Sequence, residues 1–311
     1  MTQPKTYIKA TSVEHALSLA GESSGSFRYL AGGTDVMVNK FQGNDDAGLL
    51  IDISGIDALR QVSATETHLV IGALVCLEEL AKHSAVAGNF PVLMEAANSV
   101  ASPTIRKTAT LGGNLLCGNR CSFYNQSAWW REAAGFCLKC SGPLCLASGG
   151  KKHCFSKFVS DMAVALISLR AGIEISDLRG VITIPLESIY SGDGINPSLL
   201  SNTAIIRAIH IPLHHDFRSV YKKLRKRETL DFTSLTTAIS LDKTGMIRIV
   251  MGGVHAKPVI TDGTGTEDLN SLVSQAVSAT RMVDNDTYSR AYRKAMIPVF
   301  LDRSFRELQL I

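Results

Sequence analysis

Six of the chain's seven cysteines, Cys117, Cys121, Cys137, Cys140, Cys145 and Cys154, crowd into one stretch, and only Cys76 lies outside it. Between Cys117 and Cys154 the apolar periodicity that builds helices and strands gives way to Gly, Ser, Lys and Cys. Such a segment buries too little apolar surface to offset the entropy of ordering it. It therefore reads as an insertion, stabilised by whatever its thiols bind. In a reducing compartment thiols crowded in this way hold metal rather than disulfides.

The rest of the chain sets the compartment and the class. Met-Thr-Gln-Pro-Lys-Thr at the start has no apolar h-region, and the longest apolar stretch near the middle, Met162 to Leu169, falls far short of a bilayer span. A cytoplasmic chain without a membrane span is expected. With 45% hydrophobic and 19% charged residues the 311-residue chain is an ordinary folded protein, long enough for two or three domains. A net charge of +4 is too small to argue for nucleic acid, and the one basic run, Lys222 to Arg227, reads as a solvated face.

Apolar spacing and punctuation suggest three regions. In residues 1–55, Ser12 caps a helix through Leu19, and Phe27 to Ala31 is a strand entering Gly32-Gly33-Thr34-Asp35. Asp35 or Thr34 then caps a helix whose apolar face includes Val36, Met37 and Phe41, and Leu49 to Ile53 is a second strand. Residues 56–211 contain a strand over His68–Gly72, a short helix from Leu77 to His83 and a helix from Phe90 to Ser102 stopped by Pro103. A strongly apolar helix from Asp161 to Leu169 and a strand at Gly172–Ile175 follow the cysteine insertion, residues 117–157. Residues 212–311 hold strands at 219–224, 234–241 and 246–254, then helices at 269–279 and 286–297, the last stopped by Pro298.

Neither G-x-G-x-x-G nor G-x-x-x-x-G-K-[ST] occurs. Two Gly pairs do: Ala31-Gly32-Gly33-Thr34-Asp35 and Thr110-Leu111-Gly112-Gly113-Asn114. Paired glycines let backbone approach a ligand closely, and successive N–H groups can cup a pyrophosphate, although a single pair is more often only a tight turn. The first pair taken with Val100 to Leu115 resembles the two FAD-contacting segments of the molybdenum hydroxylase flavin subunits, the family of the xanthine and carbon monoxide dehydrogenase medium subunits. Further matches follow in the family's order at Ser160–Leu169, Tyr221–Arg227 with Asp231-Phe232, and Gly252-Gly253-Val254, so the resemblance covers essentially the whole chain.

This resemblance implies an α+β protein with a vanillyl-alcohol-oxidase-type (PCMH-like) FAD-binding fold. It would have two α/β FAD subdomains, 1–55 and 56–211, and a C-terminal α+β domain, 212–311, of antiparallel sheet and helices. It implies FAD contacts from Ala31, Gly32, Gly33, Thr34 and Asp35 and from Ile105, Thr110, Gly112, Gly113 and Asn114, with backbone donors of 31–35 and 110–114 on the pyrophosphate and ribityl chain. Asp161 would bond the ribityl or nearby backbone and Lys223 would lie toward the flavin ring. From its position alone, Asp161 reads equally well as a carboxylate facing a helix dipole.

The cysteine segment, with Arg120 to Ser127 and Trp130-Arg131, resembles the loop of 4-hydroxybenzoyl-CoA reductase flavin subunits. That implies a 4Fe-4S cluster on Cys121, Cys137, Cys145 and Cys154, with Cys117 and Cys140 as non-ligands. On chemistry alone four soft thiolates suit iron–sulfur or zinc, the latter through Cys137-x2-Cys140. The implied function is that of an electron-transfer flavoprotein with no catalytic residues of its own. Its implied partners are a large molybdenum-cofactor subunit, a small subunit with two 2Fe-2S clusters, and ferredoxin as donor. Lys139, Lys151, Lys152 and Lys157 read as a basic landing surface for that donor. Two alternatives stay open: a flavin subunit passing electrons to NAD or a quinone, and a zinc-stabilised nucleotide-binding module.

Overall fold

The computed structural model describes residues 6–311, so Met1–Lys5, part of the N-terminal segment discussed above, lie outside the described residues. Strands β1 (Thr6–Lys9), β2 (Phe27–Leu30) and β3 (Leu49–Asp52) form a parallel sheet in the order β1-β3-β2. Helix α1 (Val13–Glu22) starts where Ser12 Oγ accepts the His15 amide at 3.1 Å, which satisfies one of the otherwise orphaned first-turn donors. Its face of Val13, Ala16, Leu17 and Ala20 packs with Ile51 and Ile53.

Helix α2 (Val36–Phe41) departs from expectation twice. Asp35 occupies its N-cap position but makes no cap bond, because its carboxylate is drawn to Arg120 instead. Met37 and Phe41 point outward, Phe41 70% exposed, rather than into a core.

The second sheet is antiparallel throughout, in the order β4-β5-β8-β6-β7, from β4 (Val62–Ala64), β5 (His68–Gly72), β6 (Gly172–Asp177), β7 (Gly180–Pro185) and β8 (Ile205–Pro212). Helices α3 (Leu77–Lys82), α4 (Ser84–Asn89), α5 (Pro91–Ser99), α6 (Pro103–Arg106), α7 (Leu111–Leu115), α8 (Ala128–Ala133) and α9 (Asp161–Ser168) lie between β5 and β6. The single helix expected from Phe90 to Ser102 is divided. Pro91 opens α5, Ala101 takes a left-handed φ of 46°, and Pro103 opens α6 rather than merely ending its predecessor. Proline suits a first turn because its missing N–H would have no partner there. All eight residues of α9 are buried, and the helix packs against α5, α7 and the third sheet.

That third sheet is a meander of β9 (Arg218–Leu224), β10 (Leu235–Leu241), β11 (Met246–Gly252) and β12 (Val259–Thr264). Strand β10 is buried on both faces, between α9 and α11 (Arg290–Glu307), while α10 (Leu269–Ser278) packs on β12 and α11. Pro298 does not stop α11, which runs on to Glu307. An interior proline costs about 3 kcal/mol, but continuing the helix buries Phe300, Leu301 and Phe305, each contributing roughly 1.5–3 kcal/mol. The basic run is largely consumed internally: Lys222 pairs with Glu307, Lys223 with Asp161 and Arg227 with Asp231, while Arg225 donates to the Ser99 carbonyl at 2.8 Å.

A buried ion pair between Lys157 and Asp286 joins the end of the insertion to the loop before α11. Burial is the larger influence on Lys157 and lowers its affinity for its proton. At Asp286 burial acts to raise the carboxyl, but the Lys157 charge and hydrogen bonds from Lys157, the Tyr288 amide and Ser234 outweigh it and hold it below the ordinary value. A carboxyl lowered on folding stabilises the protein fully above its unfolded value of about 3.9 and loses that contribution as pH falls through the folded value. Asp286→Asn should therefore lower the urea midpoint at pH 7, and its difference from the parent protein should shrink once the pH falls below about 4. A difference constant from pH 7 to pH 3 would show that the pair is not the joint described.

Candidate functional site

The two Gly-pair segments meet face to face. A Cβ built on Gly32 would stand 1.8 Å from the Thr108 carbonyl oxygen, and Gly33 has a left-handed φ of 70°, so loop 31–35 reaches the 105–114 segment only because neither position carries a side chain. The amides of Gly32, Gly33, Thr34 and Asp35 donate to no protein acceptor among the described residues. Successive free N–H groups on a tight turn make a cup for an anion. Ala31, at the end of β2, packs with the first core.

The second segment is closed on itself. The Gly112 amide donates to the Ala73 carbonyl at 2.8 Å, the Asn114 amide to the Thr110 carbonyl at 2.9 Å, and the Gly113 amide to Thr110 Oγ1 at 3.2 Å. Asn114 Oδ1 accepts from Ser160 Oγ at 2.8 Å and from the Met162 amide at 3.3 Å. Ile105 packs against the second core, and its carbonyl caps the turn to Ala109. The amides of 32–35 are thus left free, whereas those of Gly112, Gly113 and Asn114 are already engaged within the protein. The second segment acts as the wall against which the first is pressed.

Asp161 and Lys223 come together at 2.6 Å with side chains only 5% and 4% exposed. Lys223 Nζ also donates to the Ser99 carbonyl at 3.0 Å. The other Asp161 oxygen accepts from Tyr221 at 2.8 Å and from Thr236 at 3.0 Å. Burial first, and then the Asp161 charge, push the Tyr221 phenol well up, so it remains a donor. Asp161 therefore sits at the amino end of α9 with both of its carboxylate oxygens taken up by donors of the protein.

The insertion is tied to the body at three places that sequence reasoning did not identify. Arg120, which lies above the Phe232 ring at 4.5 Å, pairs with Asp35 of the first loop. Arg131 donates to Asn44 and to the Gln42 and Gly43 carbonyls after α2. The backbones of Arg120 and Lys157 pair reciprocally at 3.0 and 2.8 Å, which draws the two ends of the loop together. Each partner is remote in sequence, so no local spacing signals it.

Cys121, Cys137, Cys145 and Cys154 are buried and line one cavity together with Tyr124, Lys139 and Ser156. Among the described residues no three His, Cys, Asp or Glu side chains form a ready single-metal site. Gly194 from a separate loop leaves no room for a Cβ, which would stand 2.8 Å from Cys154 Sγ. Cys117 and Cys140 do not line the cavity. Burial pushes the Cys121 thiol up to about 11 and Cys117 to about 12, while a hydrogen bond from Cys140 brings Cys137 down to about 6.

The expected lysine surface is corrected. Lys151 and Lys152 are exposed, but Lys157 is buried in its ion pair and Lys139 lines the cavity.

Comparison with known proteins places this geometry. Residues 2–214 match the family model described as the FAD binding domain in molybdopterin dehydrogenase. The chain is 29% identical over 266 residues to the aldehyde oxidoreductase FAD-binding subunit PaoB of Escherichia coli strain K12, covering 81% of this chain and 82% of that one. It is 23% identical to the 6-hydroxypseudooxynicotine dehydrogenase complex subunit alpha of Paenarthrobacter nicotinovorans, over 96% and 92% of the two chains. The fold superimposes on a chain of carbon monoxide dehydrogenase from Hydrogenophaga pseudoflava with a TM-score of 0.77 at 21% identity, over 98% and 97% of the two chains. Gly32→Ala should drive loop 31–35 away from Thr108 and weaken FAD retention by at least about ten-fold, 1.4 kcal/mol, as read by flavin released on gel filtration. Full flavin occupancy in that variant would place the cofactor elsewhere.

Proposed function

As this chain belongs to the FAD-binding domain family of the molybdopterin dehydrogenases and is an oxidoreductase subunit, we propose that it relays electrons within a molybdenum-hydroxylase complex. Its partners are then a large molybdenum-cofactor subunit and a small subunit with two 2Fe-2S clusters, as the resemblance to the hydroxylase family implies. The substrate is transformed in the large partner. The observation that carries the finer reading is the cavity lined by Cys121, Cys137, Cys145 and Cys154, beside the 31–35 loop to which Arg120 ties it. A single tetrahedral zinc needs thiolates converging on one point at about 2.3 Å. Four buried thiols on one cavity supply the full ligand set of a 4Fe-4S cluster, and the resemblance of the loop to that of 4-hydroxybenzoyl-CoA reductase favours this over the zinc-stabilised module.

Bound FAD exchanges electrons in pairs and the cluster exchanges them singly. The chain's own residues do the positioning. The free amides of 32–35 hold the pyrophosphate, with Ile105, Thr110, Gly112, Gly113 and Asn114 as the opposing wall. The Asp161–Lys223 pair fixes the floor at the start of α9, with Lys223 on the flavin side. The insertion holds the cluster close to the loop that holds FAD.

The exposed pair Lys151 and Lys152 suits an acidic one-electron protein donor of the ferredoxin type, and that direction of flow fits a reductive enzyme. The opposite direction, with electrons leaving through FAD to NAD or a quinone, is favoured by the relatives named as dehydrogenases. Anaerobic mixing with reduced ferredoxin or with NAD separates the two.

Serine at Cys121, Cys137, Cys145 or Cys154 should each lose or convert the cluster, as read by iron and acid-labile sulfide per chain, whereas Cys117→Ser and Cys140→Ser should retain it. Loss of iron from Cys140→Ser with retention in Cys145→Ser would move the ligand register. Electrostatic docking mainly raises association rate and is screened by salt. Reduction by ferredoxin should accordingly slow with ionic strength and in Lys151→Glu/Lys152→Glu, while reduction by a small dye stays unchanged. A ferredoxin rate indifferent to both would remove this loop as the entry point.

A further inference from the structure

Of the buried cations on the cysteine loop, Arg120 and Lys157 are neutralised by Asp35 and Asp286, and Arg131 is taken up by Asn44 and the Gln42 and Gly43 carbonyls away from the cavity. Lys139 differs from all three. It lines the same cavity as Cys121, Cys137, Cys145 and Cys154, and no carboxylate among the described residues pairs with it. Its ammonium donates to the Asn119 carbonyl at 3.2 Å and stands 4.6 Å from the centre of the Tyr124 ring.

Both partners are anchored. Asn119 is 1% exposed, and its amide group donates to the Ser156 and Ala256 carbonyls at 3.0 and 2.8 Å, while Tyr124 is part of the cavity wall. A half-buried cation with only a carbonyl dipole and an aromatic face as partners is incompletely compensated. The groups beside it that turn anionic on ligating metal are the thiols of the cavity, so Lys139 stands where negative charge would gather.

We infer that Lys139 is the built-in counter-charge of the cysteine-bound cluster, a positioning residue that favours the cluster's reduced form and sets its potential. The inference rests on the reading that the four thiols carry a 4Fe-4S cluster. Accepting an electron makes the cluster more negative, and inside the protein a fixed positive charge nearby stabilises the more negative state by more than the less negative one. The role requires a charge rather than a particular hydrogen bond. Lys139 thus belongs to the cluster and not to the donor's landing surface, although all the loop's lysines look alike in sequence.

The test uses the full-length chain purified without oxygen, with iron and acid-labile sulfide counted and the cluster titrated potentiometrically under electron paramagnetic resonance. Lys139→Met and Lys139→Gln should keep the cluster and shift its midpoint to lower potential, while Lys139→Arg stays near the parent value. If both neutral variants fail to assemble a cluster and Lys139→Arg succeeds, the charge is needed from assembly onward, which also supports the inference. Neutral variants that titrate at the parent midpoint with full iron overturn it, as does an arginine variant that behaves like the neutral ones. Parent protein devoid of iron and sulfide instead overturns the cluster reading itself, so the two failures are told apart.

Discussion

A carboxylate buried at the amino end of a helix with no exposed residue is the constraint around which this protein is built. An ion taken out of water costs several kcal/mol unless it is paired and hydrogen-bonded, and Asp161 recovers that cost only if Lys223, Tyr221 and Thr236 all reach it. Those three lie on β9 and β10, so the third sheet has to dock on α9 in one register. Lys223 also binds the last carbonyl of α5, and Ser160, next to Asp161, bonds Asn114 of the second Gly-pair segment. One buried charge therefore aligns the two larger cores and the second Gly-pair segment together.

The cleft itself depends on the absence of atoms. Gly32 lets loop 31–35 touch Thr108, and the amides freed by that turn face away from other protein acceptors. The cysteine insertion is positioned by charge rather than by apolar packing: Arg120 on Asp35, Arg131 on the carbonyls after α2, and Lys157 on Asp286. It bridges the first sheet and the C-terminal body without contributing its thiols to either core.

Much of this was legible in the sequence wherever the signal was local. The apolar run of α9, the Ser12 cap, the Gly pairs and the cysteine insertion all fall where spacing puts them, and the family resemblance identifies the fold. Non-local pairing was not legible. The role of Lys157 is set by Asp286, 129 residues away, and that of Arg120 by Asp35, 85 residues away, so Lys157, which reads as surface, is interior, and the tie made by Arg120 has no local signal. Pro298 misled because a helix-breaking residue was weighed without the core that lies beyond it. Strands β1, β4, β7, β8 and β12 gave no clear reading, β7 because five of its six residues are exposed except at Ile184 and so its apolar alternation has no buried face to announce.

The reciprocal backbone pair between Arg120 and Lys157 has an evolutionary reading. Residues 121–156 leave the host and return to it at a single rung of hydrogen bonds, so the host chain on either side would be nearly continuous if they were removed. An excursion of this kind can be acquired, exchanged or lost between lineages without disturbing either flavin-cleft segment. What the host side supplies is small: the Arg120–Lys157 rung, steadied by Asp35 and Asp286, and the open carbonyls beyond α2 that receive Arg131.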